Sequence, residues 1–113
     1  EGEHYSELYY YITGRKLSWE ELLAVSERIW HLTRAFSVRE IEGFGRHWDH
    51  PPKRLSEEPI QTGPNEGYCI PMEDIEFLLD AYYKARGWDA DGIPTRETLE
   101  RVGLDDVADA LGE

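Results

Sequence analysis

The sequence predicts an all-α fold: a small multi-helix domain of about five helices with one long irregular connection. Three observations predict it. Apolar residues recur at helical spacing in two long windows, and no window reads as a strand. Capping residues stand before those windows and glycines stand after them. Four of the six prolines and four of the ten glycines fall within residues 42–70, which leaves that stretch without a regular element of its own.

Taken in order, residues 4–12 form a short Tyr-rich helix that Thr13 and Gly14 can end. Ser18-Trp19-Glu20-Glu21 fits a capping box, with Ser18 as cap and Glu21 three residues on. Behind it Leu22, Val25, Ile29, Leu32 and Phe36 make an apolar stripe, widened by Leu23 and Trp30. A stripe of this kind is expected to form core. This helix should run to about Arg39 or Ile41, with Gly43 and Gly45 ending it. The 42–70 stretch is long for a loop, and its Phe44, Trp48, Leu55, Ile60, Tyr68 and Ile70 suggest that it is held against a surface. Pro71 suits the first turn of the next helix. There Met72, Ile75, Leu78, Leu79 and Tyr82 are expected to be buried, and Gly87 to cap. Asp89-Ala90-Asp91-Gly92 reads as a turn. Thr95 caps a short helix through Val102, closed by Gly103, and Asp105 caps a last one through about Leu111.

Composition narrows the function. With 40% hydrophobic and 12% aromatic residues, the 113-residue chain can support a core despite a net charge of −12. Residues 1–57 hold 10 acids and 8 bases; residues 58–113 hold 14 acids and 4 bases. The acidic half repels phosphate backbones and anionic lipid, so neither nucleic acid nor membrane is an expected partner. No apolar run approaches the roughly 20 residues of a membrane span. The first residue is not Met and no signal sequence is visible, so the expectation is a cytoplasmic protein that is processed or part of a longer chain. Between Arg28 and Arg54 six bases accompany three acids, a local reversal that reads first as solvated or internal ion pairs.

Candidate sites are sparse. His47 and His50 flank Asp49, with Glu42 nearby, but stable metal sites take three or four ligands. The segment reads instead as a loop packed by hydrogen bonds. Asp89, Asp91 and Gly92 begin like a calcium loop, yet Ile93 and Pro94 break the pattern, so a plain turn is expected. Cys69 is the only cysteine, with no base tied to it by spacing, and reads as an ordinary thiol. Gly43-Phe44-Gly45 is too short for a dinucleotide fingerprint. The residues alone give an acidic α-helical domain.

Several strings say more. They are Leu32-Thr33-Arg34-Ala35-Phe36-Ser37-Val38-Arg39-Glu40; Pro52-Lys53-Arg54-Leu55 with Glu58-Pro59 and Gly63-Pro64; and Tyr82-Tyr83-Lys84-Ala85-Arg86-Gly87-Trp88-Asp89 with Gly92-Ile93-Pro94-Thr95 and Leu99 to Leu104. In this order and spacing, from about Leu8 to about Val107, they resemble the C-terminal end of the aldehyde:ferredoxin oxidoreductase family. The resemblance implies a parent that oxidises aldehydes to carboxylic acids and passes electrons to ferredoxin. It also implies a tungsten-bis-pterin cofactor and a [4Fe–4S] cluster in that parent. The family's cluster cysteines and its acid and histidine residues near the metal lie upstream of the aligned region. No catalytic, cofactor-binding or metal-binding residue therefore carries over, and Cys69 is not at a cluster position.

The expected function is a non-catalytic structural piece of the parent, with the parent's remaining domains as partners. The residues expected to face those domains or a substrate channel wall are Arg34, Arg39, Phe44, Arg46 and Trp48. The alternative is a free-standing acidic helical module that binds a protein partner.

Overall fold

The computed structural model describes residues 2–112. It is all-α among the described residues: α1 (Gly2–Thr13), α2 (Trp19–Glu40), α3 (Arg54–Glu57), α4 (Met72–Arg86), α5 (Arg96–Arg101) and α6 (Asp105–Leu111), with a 3₁₀ turn at Arg46–Trp48. The only strand-like pairing among them is a single bridge between Trp88 and Pro94.

The local signals act as their chemistry requires. The Ser18 side chain accepts from the Glu21 N–H, and Glu21 accepts from the Ser18 N–H at 2.7 Å, closing the capping box of α2. Gly14 takes the left-handed conformation and donates to the Tyr10 carbonyl. Gly87 ends α4 the same way, and the Thr95 hydroxyl caps α5. Asp89 Oδ1 accepts from the Asp91 and Ile93 N–H groups at 2.9 Å each, which makes the 89–92 turn. Some boundaries differ by a residue or two: α1 starts at Gly2 rather than residue 4 and ends at Thr13, and α5 ends at Arg101 rather than Val102. Pro71 is the cap of α4 rather than its first residue, and Leu104 rather than Asp105 stands at the cap of α6.

The 42–70 stretch is more ordered than its prolines suggest. Besides the 3₁₀ turn and α3, the Ile60 N–H donates to the Tyr68 carbonyl, the Gly67 N–H donates to the Ile60 carbonyl, and the Ile70 N–H reaches the Leu55 carbonyl. These pieces are each a turn long, too short to show periodicity.

The buried faces are where the sequence reading needs correction. The α2 stripe is open: Ile29 is 58% exposed and Phe36 57%, with Val25 and Leu32 close behind. The buried residues of α2 are His31 and Ala35, on its other side. In α4, Ile75 is buried as expected, but Leu78 and Met72 are exposed and Tyr83 is buried instead. Periodicity finds an apolar face but cannot say whether the surface that covers it lies in the same chain.

The dimensions agree with an open body. The radius of gyration is 18.4 Å, against about 13 Å for a compact chain of this length. The accessible surface is 8515 Å², against about 6,400 Å² for a compact monomer of this mass. An apolar cluster lies at the C-terminal end, where Leu99, Leu104 and Ala108 pack with Val102, Val107 and Leu111, and Ala35, Ile75, Tyr83 and Trp88 are buried between α2 and α4 and the turn that follows.

Candidate functional site

The side chains most tightly organised in this chain form a cluster of arginines and aromatic rings between α2, α4 and the turns that flank them. Arg34 is its centre. From α2, its Nε donates to the Gly92 carbonyl at 2.8 Å and its Nη1 to Asp49 Oδ1 at 2.7 Å. Its Nη2 donates to Asp49 Oδ2, giving a two-pronged pair. The guanidinium carbon lies 4.5 Å from the Trp88 ring centroid and 4.6 Å from that of Phe44, so the cation is held between two aromatic faces. Tyr83 donates its hydroxyl to the same Asp49 oxygen. Burial disfavours the Asp49 charge, but the bonds from Arg34 and Tyr83 outweigh it and hold the carboxyl below its usual range. Burial and the Asp49 carboxylate push the Tyr83 hydroxyl up to about 12.

A second arm runs inward. The Trp88 indole N–H donates to His31 Nδ1 at 2.9 Å. His31 Nε2 lies 3.1 Å from Glu27 Oε1, and Glu27 Oε2 accepts from Arg86 at 2.7 Å. Because Nδ1 accepts, the ring proton belongs on Nε2, facing Glu27. Burial lowers the His31 pKa, with Glu27 only partly opposing it, so the neutral ring is favoured. Glu27 is held below its usual range because Arg86 outweighs the burial that opposes its charge. Trp30 Nε1 donates to the Tyr82 hydroxyl at 2.9 Å, and a cleft of 210 Å³ opens between Trp30, Thr33, Arg34, Tyr82 and Trp88.

The residues expected at an interdomain surface are distributed as follows. Arg34 lies inside the cluster, its side chain 12% exposed. Arg46 reaches back from the 3₁₀ turn: Nε to Glu76 at 2.6 Å, Nη2 to the Glu76 carbonyl, Nη1 to Asp80 and to the Ala90 carbonyl. His50 meets the other Glu76 oxygen at 2.6 Å. Phe44 covers Arg34 on one face and stacks on Trp48 at 6.3 Å. Trp48 is half exposed, and Arg39 is exposed beside Glu40 and Phe36. The structure thus brings Arg34, Phe44 and Trp48 into one column and leaves Arg39 apart. Glu27 and His31 were not singled out by sequence; Asp49 was read only as part of a hydrogen-bonded loop, and Tyr83 and Trp88 only as part of a family string. The available signals were Glu27 and His31 one helical turn apart and a tryptophan directly after a helix-ending glycine.

The donor set does not fit a metal cofactor. A [4Fe–4S] cluster is held by cysteine thiolates, and Cys69 is the only cysteine. Among the described residues no three His, Cys, Asp or Glu side chains are placed to hold a metal ion. Among them, also, no helix is long and apolar enough to cross a membrane.

The family model for aldehyde ferredoxin oxidoreductase, domains 2 and 3, matches residues 1–104. The chain belongs to the aldehyde ferredoxin oxidoreductase family. It is 35% identical over 102 residues to the tungsten-containing aldehyde ferredoxin oxidoreductase of Pyrococcus furiosus, covering 90% of this chain and 16% of that protein. The corresponding enzyme of Thermococcus kodakarensis is 38% identical over 92 residues, 80% of this chain and 14% of that one. The aliphatic sulfonate oxidoreductase WOR-like subunit of P. furiosus is 32% identical over 100 residues, 82% of this chain and 15% of that subunit. Among solved structures, the active-site complex BamBC of benzoyl coenzyme A reductase matches with a TM-score of 0.73 and 33% identity, over 97% of this chain and 15% of the matched one. The chain therefore spans about a sixth of the length of the relatives it matches. The remaining five-sixths or so of each relative lies outside the matched segment.

Proposed function

We propose that this chain is the C-terminal helical part of a cytoplasmic tungsten-dependent oxidoreductase, a single structural unit that helps to enclose the cofactor without supplying any ligand to it. The parent reaction is oxidation of an aldehyde to a carboxylic acid, with two electrons passed to ferredoxin. The tungsten-bis-pterin and the [4Fe–4S] cluster reside in the remaining domains. The observation that carries this reading is the match over nearly the whole chain to about a sixth of longer oxidoreductases, joined to an apolar helix face left open.

Within the reading, Trp48, Phe44 and Arg39 meet neighbouring domains or the channel wall. Arg34 and Arg46 act behind them, fixing the 42–50 segment to α2 and α4. Substrate choice is set elsewhere in the parent: relatives of similar identity carry names for aldehydes and for aliphatic sulfonates. The test is elemental analysis and dye-linked assay of the purified 113-residue chain. Neither tungsten nor iron at stoichiometric level is expected, and no aldehyde-dependent reduction of a viologen. Either one overturns the reading.

A further inference from the structure

The open face of α2 has a more specific geometry than an apolar patch. Leu22, Val25, Ile29, Leu32 and Phe36 are spaced 3, 4, 3 and 4 residues apart, the repeat of a helix-packing seam. The hydroxyls beside the seam are already satisfied: Ser26 Oγ donates to the Leu22 carbonyl and Thr33 Oγ1 to the Ile29 carbonyl, each at 2.9 Å. Trp30 Nε1 is likewise bonded, to Tyr82. Covering this face strands none of these donors, and a stranded donor is the usual penalty for burying polar flanks. On the other flank Arg28 and Arg101 line a shared recess with Val25, Glu27 and Val102; Glu27 is engaged by Arg86, and neither Arg28 nor Arg101 makes an ion pair with the described residues.

Resting on the function proposed above, we propose that this seam receives one α-helix of the parent's remaining polypeptide. That helix carries apolar residues at the same 3–4 spacing and a carboxylate opposite Arg28 and Arg101, and crosses α2 at about +20°. Three observations select this occupant. Roughly five-sixths of each matched relative lies outside the matched segment, so the polypeptide needed is available in the same molecule. The two unpaired arginines ask for an acid. A second copy is disfavoured: each carries a net charge of −12, and a two-fold pairing centred on Ile29 sets Arg28 beside its own counterpart.

The test mixes the 113-residue chain with the P. furiosus tungsten enzyme expressed without its matching segment, and measures association at micromolar concentration by calorimetry and light scattering. A 1:1 complex is expected. Ile29→Glu and Leu32→Glu should each weaken it by about 10- to 100-fold, with unchanged far-UV circular dichroism because both side chains are half exposed in the chain alone. A complex that these variants leave intact overturns the seam while sparing the proposed function. No complex at all overturns both. A self-association of the chain that Ile29→Glu abolishes overturns the choice of occupant.

Discussion

Asp49→Asn probes the cluster that fixes the 42–50 segment. In the native chain the carboxylate takes both prongs of Arg34 and the Tyr83 hydroxyl. The amide presents only one oxygen to these donors and sets its own N–H groups against the rest. Arg34 cannot escape to water easily, because Phe44 and Trp88 cover its two faces. Breaking a fully buried pair in this way costs about 3–5 kcal/mol. Here the side chains of Arg34 and Asp49 are 12% and 23% exposed, so solvent screens part of the loss. The expected destabilisation is about 2–3 kcal/mol. At roughly 4–8 °C per kcal/mol for a domain of this size, the midpoint should fall by about 10–20 °C. Urea unfolding followed by tryptophan fluorescence measures it, and a cycle with Arg34→Ala should show a coupling of about 1–2 kcal/mol. A loss under about 0.5 kcal/mol would mean that the pair does not hold the segment, and the reasoning would fail.

Three further outcomes follow from the same geometry. The folded-state pKa of His31 is depressed, so between the unfolded value near 6.5 and the folded value the unfolded chain binds the extra proton. Its stabilisation is present above about pH 6.5 and is lost as pH falls through that window; urea midpoints at several pH values should decline there, and less steeply in His31→Gln. Gly92→Ala should cost more than Gly103→Ala although both have positive φ: a Cβ at Gly92 overlaps Arg34 and Tyr83, whereas one at Gly103 meets open space and costs only the left-handed strain of about 1–2 kcal/mol. Thermal melts of the two variants compare them directly. Ser18→Ala opens the capping box and should cost about 1 kcal/mol, seen as lost helicity at the start of α2 by amide exchange.

The helix ends were legible because each is a short-range matter of one or two side chains: Ser18 with Glu21, Gly87, Thr95, and Asp89 folding over its own turn. The inward face of α2 was not legible. Its buried side carries Glu27, His31 and Arg34, of which only Arg34 was singled out in the sequence, and that for an interdomain surface or channel wall. They turn inward because Arg86, Trp88 and Asp49 arrive from distant parts of the chain to satisfy them. The apolar stripe faces out, and on the proposed function its cover is supplied by polypeptide outside these residues. The 3₁₀ turn and α3 escaped notice because one turn of helix beside proline has no periodicity to read.

On the proposed function, these helices are shaped around polypeptide that is not part of the 113 residues. Small-angle X-ray scattering of the chain, extrapolated from a dilution series to the monomer, tests it most directly. A radius of gyration near 18.4 Å is predicted. A value near 13 Å, that of a chain closed on its own core, contradicts it.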